Sequence, residues 1–480
     1  MIKKRTISLY LIILFLSFCL GAALFSYFQI FVDKMIILGL VLIGCAILWA
    51  KGIFKYIFWG ILSFFLGWLY LSVWHLPQIL AETENFKSNG FVDGYKEQIA
   101  GYILCPLRTE EGRILLDIYQ DENNKNFCLP GNKLEVSGEI NSDLTPKERF
   151  VERFSGKLKV KKIQLINSKP QGFLRLKLAF LKNLYLAREK FSQVLSSLMR
   201  QKEASFAQGL VFGGKTNFSK DFKNKLARTG TSHLVALSGF NISILIFASF
   251  DTLKFISPIL GFALTSVLIL AFVLMTGAAS SVVRAAIVGM MLISGKVLGR
   301  QTDHLLILSL SLFLMTLLEP FSLVWDVGLQ LSFAAFVGLI YLSPLIKEKL
   351  IYFGFLGEII ADTIGAILFT LPLVAYYFGN ISLIALLVNI LVVAVIPITT
   401  YLVLFVGFFG LISGFLGKVL SYITQVFLNY SLGIIEFFGQ FSWAQIKLNI
   451  SSAIWIFVYY LILGLIVCFL WQRKLKNETL

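Results

Sequence analysis

FISPILGFALTSVLILAFVLMTGAASSVVRAAIVGMMLISGKVLGR, residues 255–300, holds two apolar runs, about 255–276 and 279–298, separated by a short small-residue link. Each run approaches the ~20 residues that cross a hydrocarbon core. Lys254 precedes the first run, and Lys296 and Arg300 close the second. Two crossings therefore return the chain to the basic side from which it started, the side facing the cytoplasm. Arg284 alone is charged in mid-run, where burial costs at least ~2.5–3.5 kcal/mol unless the charge is paired or hydrated.

The same pattern extends in both directions. Apolar runs cover about 7–31, 35–50 and 53–76, then 232–250, and beyond residue 300 about 304–318, 321–344, 355–378, 381–412, 418–440 and 450–471. With the two runs already named, that predicts a polytopic α-helical membrane protein of about twelve transmembrane helices. The run 381–412 is long and contains Pro397, so a broken helix is expected there. MIKKR followed by Ile7–Phe31 reads as an anchor helix rather than a cleaved signal peptide. The whole chain agrees: 57% hydrophobic and 15% charged, against ~45–50% and ~25% in soluble domains, which excludes an ordinary soluble enzyme.

The net charge of +16 is the anomaly. With the N-terminus inside, the cytoplasmic pieces carry 14 Lys and Arg, and the short external loops carry two, Lys34 and Lys447. That asymmetry puts both termini in the cytoplasm and residues 77–231 outside. The external stretch divides. Residues 82–145 hold six basic and twelve acidic side chains; residues 146–230 hold 20 and five.

FVDGYKEQIAGYIL, RILLDIYQ, NFCLPGNKLEVSGEI and GKLKVKKIQLI alternate apolar and polar residues between Gly, Asn and Pro. They predict a small antiparallel β domain over 82–170, best matched by an OB-like barrel. Such barrels often bind single strands, but the acidic half favours a structural cap. Cys105 and Cys128 both fall in this region, and a disulfide between them is open, since spacing fixes no Cα distance.

Residues 171–231 read as basic amphipathic surface helices. Gln171–Arg200 has helical spacing of Leu, Phe and Tyr with Lys177, Lys182 and Arg188 between them. A second helix starts at a Ser219 cap with Asp221 in its first turn and carries Lys220, Lys223, Lys225 and Arg228. These cations, with Lys215, suit a phosphate backbone; they equally suit anionic lipid. GLVFGGKT, 209–216, matches a phosphate-loop pattern, but no apolar strand precedes it, so a glycine turn fits better than a nucleotide site.

Other chemistry is scarce. The three histidines, His75, His233 and His304, are far apart and form no metal-ligand pattern, so neither metal nor cofactor is expected. His233 and Ser238 suggest a serine hydrolase with Asp326. However, Ala236 stands where a nucleophile elbow needs glycine, and a hydrogen-bonded kink is the better reading. Asp326 and Gln330 are spaced to share one helix face. Arg284 faces either a phosphate path or a buried partner such as Asp326. Asn241, Asn389 and Pro397 suit helix-to-helix bonding or a broken-helix cavity. The pairs Gly295/Gly299 and Gly410/Gly414 suit packing.

ARTGTSHLVALSGFNISIL, 227–245, resembles the signature of the ComEC competence family, the DNA-uptake channel of natural transformation. GLVFGGKT (209–216), SSVVRAAIVGMM (280–291), EPFSLVWDVGLQLSFAAFVGL (319–339) and LPLVAYYFGNISLIALLVNILVVAVIPI (371–398) resemble further segments of that family, in order. The resemblance covers roughly residues 200–400. The apolar runs and charge asymmetry give transmembrane helices over 1–80 and a cytoplasmic tail over 473–480, and the resemblance implies that the transmembrane domain over 232–472 is a channel. It implies a non-enzymatic conduit for single-stranded DNA across the cytoplasmic membrane. The implied partners are the lipid bilayer, an outer DNA receptor, a separate nuclease and a cytoplasmic helicase or motor. Many family members carry a C-terminal metallo-β-lactamase-like domain; this chain ends at WQRKLKNETL, so the short form is expected. The alternative from another class is an envelope-assembly transporter of an anionic polymer or lipid-linked precursor.

Overall fold

The computed structural model describes residues 2–28, 55–73, 78–95, 97–99, 102–119, 127–166, 170, 172–213, 218–235, 239–300, 303–448 and 452–478. The expected span 35–50 lies outside them. The chain forms two compact units, Met1–Arg188 with Ile246–Asp326, and Glu189–Leu245 with Val327–Leu480.

The first unit begins with two helices, Ile2–Phe28 and Lys55–Val73. Glycine lets them touch backbone to backbone: a Cβ on Gly21 would overlap the Phe64 carbonyl, and one on Gly67 the Phe18 carbonyl. Small residues at such crossings replace the hydrophobic drive that is missing between helices in lipid. Helices Pro258–Met275, Ser280–Val297 and His304–Leu318 follow later in sequence.

Between them stands the β domain. Strands β1 Thr83–Val92, β2 Glu97–Ile99, β3 Tyr102–Thr109, β4 Gly112–Tyr119, β5 Lys133–Asn141 and β6 Gly156–Ile166 follow the alternation read from sequence. β1 pairs with β5, β5 with β6, β4 with β3 and β3 with β1, all antiparallel, while β4 and β6 pair in parallel. The circuit closes into a five-stranded barrel with β2 extending β3. Ile103, Leu107, Ile114, Leu116, Leu134, Val136, Ile140 and Leu158 fill it. Closure leaves few strand edges unpaired, which suits a small domain with one narrow core. Cys105 and Cys128 are joined as a disulfide inside this core, with Cα atoms 5.9 Å apart.

The second unit is mainly helical, with one short antiparallel pair, Asn380–Ser382 with Gln445–Lys447. Gln201–Phe212 and Lys220–Arg228 precede Val327–Tyr341, Ser343–Lys349, Gly354–Phe378, Ala385–Val393, Ile396–Ile412, Gly414–Gly439 and Ala453–Glu478. Helices Val327–Tyr341 and Gly354–Phe378 cross where Gly338 meets the Gly365 backbone.

Among the described residues, Pro258–Met275, Ile351–Phe378 and Ile454–Lys474 are long and apolar enough to cross a membrane. Two bent pairs bring this to five if each is one span: Val327–Tyr341 with Ser343–Lys349 at 42°, and Ala385–Val393 with Ile396–Ile412 at 47°. Four shorter apolar helices accompany them, Leu11–Leu24, Trp59–Leu71, Ile242–Leu253 and His304–Leu318. Ser280–Val297 carries Arg284 and Lys296, and Gly414–Gly439 carries Gln425, Asn429 and Glu436.

Three expectations are corrected. Asp326 does not share a helical face with Gln330: it is extended at φ −102°, ψ 98°, between the short helix Ser322–Trp325 and the helix beginning at Val327. Gln201–Phe212, inside the block read as surface helices, is a buried helix. Its last turn contains Gly209–Phe212, so the first half of GLVFGGKT is helical rather than a turn. The small-residue contact near residue 410 pairs Gly410 with Gly417, whereas Gly414 and Gly299 face open space.

Candidate functional site

In the first unit the chemistry gathers around Asp326. It is 2% exposed, at the end of the segment Glu319–Asp326. The turn Phe321–Trp325 presents aromatic rings, and Trp325 Nε1 donates to Ser26 Oγ at 3.1 Å, fixing the segment against the N-terminal helix. Arg284, 7% exposed on helix Ser280–Val297, is close enough to Asp326 for direct charge coupling. A second cation, Lys147, lies 3.8 Å from Asp326 Oδ2. One buried carboxylate thus serves two positive groups. Removing a buried partner of this kind typically costs ~3–5 kcal/mol, because the remaining charge stays buried.

Lys147 belongs to the β5–β6 connection and was not singled out by sequence reasoning. No motif marks it; only the through-space approach to Asp326 does. Phe150 of the same connection stacks on Trp325 with centroids 4.6 Å apart and planes 11° apart. Glu319 lies beside it, and burial raises its carboxyl above the ordinary range while Arg153 and Arg113 pull the other way.

The first basic helix, Gly172–Leu198, rests on the barrel through Leu178 and Tyr185. Tyr185 stacks on Tyr95 at 5.5 Å, and the Tyr95 hydroxyl points to Leu181 O at 3.4 Å. Burial pushes the Tyr95 phenol up to about 12, with Arg188 pulling it down. Lys177 is exposed; Lys182 and Arg188 are half-buried.

In the second unit the signature 227–233 is a knot of hydrogen bonds. Ser219 caps helix Lys220–Arg228 by accepting from Phe222 N at 3.2 Å. Lys220 is exposed and Lys223 half-buried. Lys225 pairs with Asp221 at 2.6 Å, and its stem lies where a Cβ on Gly439 would be, 2.6 Å from the Lys225 Cβ. Arg228 Nη1 donates to Gly439 O at 3.2 Å, and Arg228 O accepts from Ser382 Oγ at 2.6 Å. The Thr229 hydroxyl bonds to Lys225 O and to the Thr231 hydroxyl, each at 2.8 Å. Gly230, at φ +69°, packs where a Cβ would lie 2.6 Å from the Ala385 Cβ. Lys225 and Arg228 therefore already work as internal fasteners.

The remaining expected residues scatter. His233 is exposed, with Nδ1 3.0 Å from Gly230 O. The Tyr377 hydroxyl donates to Gln330 Oε1 at 2.8 Å. Asn389 is 6% exposed, and its Oδ1 has no hydrogen-bond partner among the described residues. Pro397 stands in the first turn of Ile396–Ile412, where its missing N–H costs nothing, and starts the second half of the broken helix. Asn241 lies on helix Gly239–Leu253. Lys215 and Ser238 fall outside the described residues. No cluster of three or more metal-ligating side chains occurs among the described residues.

Apolar helices with a buried arginine–aspartate pair, a helix broken at proline and a barrel inserted in the chain define a multi-pass membrane protein. The profile of the competence protein family matches residues 210–474, more than half of the sequence, and the chain belongs to that family. The chain is also similar to ComE operon protein 3 of Bacillus subtilis (strain 168), 28% identical over 223 residues, 45% of this chain. That match spans only 27% of the relative's length. The chain is thus a membrane protein of the competence family. No solved structure matches.

Proposed function

We propose that the protein conducts single-stranded DNA into the cytoplasm during natural transformation, as a conduit and not as a catalyst. The observation that carries this reading is the Arg284–Asp326 pair, buried inside the segment that matches the competence family. A buried ionisable pair in an apolar helical setting is costly, and such groups concentrate on transport paths. In this reading the termini are cytoplasmic, residues 77–231 are outside, and the spans number about twelve.

The strand circuit of the barrel, with its single parallel contact between β4 and β6, supports an OB-like domain. The exposed Lys177 and Lys220 would meet the phosphate backbone first. An outer receptor would deliver the strand, a separate nuclease would remove its complement, and a cytoplasmic motor would draw it in.

The test is a deletion strain scored for labelled DNA reaching the cytoplasm, complemented by the intact gene or by Arg284→Ala at equal membrane abundance. The intact gene should restore uptake and the variant should not. Wild-type uptake with Arg284→Ala would remove the arginine from the path.

A further inference from the structure

The connection between β5 and β6, residues 142–155, is unusual in three ways. It opens on a reciprocal cap in which the Thr145 backbone N and hydroxyl both donate to Glu148 Oε2 at 2.7 Å. It continues as a π-helical turn, Lys147–Val151, a form that gathers at functional positions. It then places Arg153 at φ 59°, a left-handed conformation that a non-glycine residue holds only when its surroundings impose it. Those surroundings are explicit: Arg113 Nη1 donates to Glu152 O at 2.8 Å, and Ser155 N donates to Arg113 O at 2.7 Å. The charge of Arg153 faces Glu319.

What the strained loop delivers is two side chains. Phe150 covers Trp325 and reaches Phe321 at 6.0 Å. Lys147 reaches Asp326 at 3.8 Å. The three charges at this point differ in access: Asp326 is 2% and Arg284 7% exposed, whereas the Lys147 side chain is 49% exposed. Their sum is one positive charge in excess. An anion arriving from solvent meets the ammonium first, because the lysine side chain is half exposed and the arginine is buried.

Lysine is a point charge on a flexible stem, able to turn from one anion to another without the planar matching that arginine needs. We infer that Lys147 is a phosphodiester-binding residue held in reserve by Asp326. A phosphate group takes the ammonium, the β5–β6 loop lifts from Trp325, and the Arg284–Asp326 pair is uncovered. The inference rests on the DNA-conduit reading for the biological source of the phosphodiester; the cation site itself accepts any polymer of that class.

The test uses the full chain in zwitterionic nanodiscs and a fluorescent abasic deoxyribose-phosphate oligomer, which offers phosphates without bases. Binding is followed against salt. Lys147→Gln should weaken binding about 3- to 10-fold and reduce the slope of log K against log salt by about 0.7, the share of one phosphate contact on a single strand. Lys147→Arg should restore the slope. Phe150→Ala, which removes the stack holding the loop down, should tighten binding about threefold. An unchanged affinity and slope in Lys147→Gln, or weaker binding in Phe150→Ala, overturns the inference. The two readings fail separately. If Lys147→Gln lowers the slope while the deletion strain takes up labelled DNA like the wild type, the site stands and the conduit falls. If Arg284→Ala abolishes uptake while Lys147→Gln binds as wild type, the reverse holds.

Discussion

Helices Gly172–Leu198 and Lys220–Arg228 read alike in sequence, each a run of cations between apolar residues, and the protein uses them differently. The first keeps Lys177 in solvent while an uncharged stripe, Leu178 and Tyr185, holds the helix to the barrel. The second uses two of its four cations for its own docking: Lys225 covers Gly439 and Arg228 bonds to its carbonyl. Positive charge counted along a chain is therefore not positive charge available to a ligand. Which of the two a cation becomes depends on whether a carbonyl or carboxylate happens to end within its reach.

The contrast can be broken at the second helix first. Gly230→Ala adds a Cβ at φ +69° and 2.6 Å from Ala385. Backbone strain and overpacking together should cost about 3 kcal/mol, read as a lower thermal midpoint of the purified protein. Arg228→Ala removes the hydrogen bond to Gly439 and should cost about 1.5–3 kcal/mol. A midpoint unchanged from wild type would return Arg228 to the pool of free cations. The cap is the next step down: Ser219→Ala should destabilise by about 1 kcal/mol, and Ser219→Asp should restore it.

The first helix should answer in the opposite way. Lys177→Gln should leave stability within about 0.5 kcal/mol, yet lower the salt dependence of oligonucleotide binding by about 0.7 in slope. A stability loss without a binding loss would erase the distinction between the helices.

The smallest effect concerns pH. The Tyr95 phenol is raised by burial, so the neutral form favours the folded state. Its contribution is complete below about 10, the ordinary phenol value, and is lost as pH rises through about 12. Tyr95→Phe should flatten that alkaline limb in a pH series of unfolding midpoints; an identical limb would show that this phenol does not anchor the helix.

The barrel was legible because strands record their faces every second residue, so Ile103, Leu107, Ile114 and Leu116 mark the inside without reference to anything distant. The Ser219 cap was legible for the same reason, its partner Phe222 N lying three residues on. The sites were not. Arg228 finds its acceptor 211 residues away, and Lys147 meets a carboxylate from another part of the chain. The broken helix at Pro397 was expected, whereas the break at Asp326 was not: its nearest glycine, Gly328, sits inside the helix that follows. Gly410 meets Gly417 across a helix junction rather than along one face, so the four-residue spacing chose the wrong partner.

The division of the chain has a bearing on how it is made. The first unit takes Met1–Arg188 and then waits for Ile246–Asp326, with Glu189–Leu245 of the second unit synthesised in between. The Lys147–Asp326 contact therefore joins the first and the last parts of that unit to leave the ribosome. Until Asp326 emerges, the β5–β6 loop and its lysine have been built without their resident carboxylate, and 57 residues of the second unit are exposed without most of their partners. A growing chain is thus interleaved rather than sequential. A stall between residues 246 and 326 leaves both units unfinished at once.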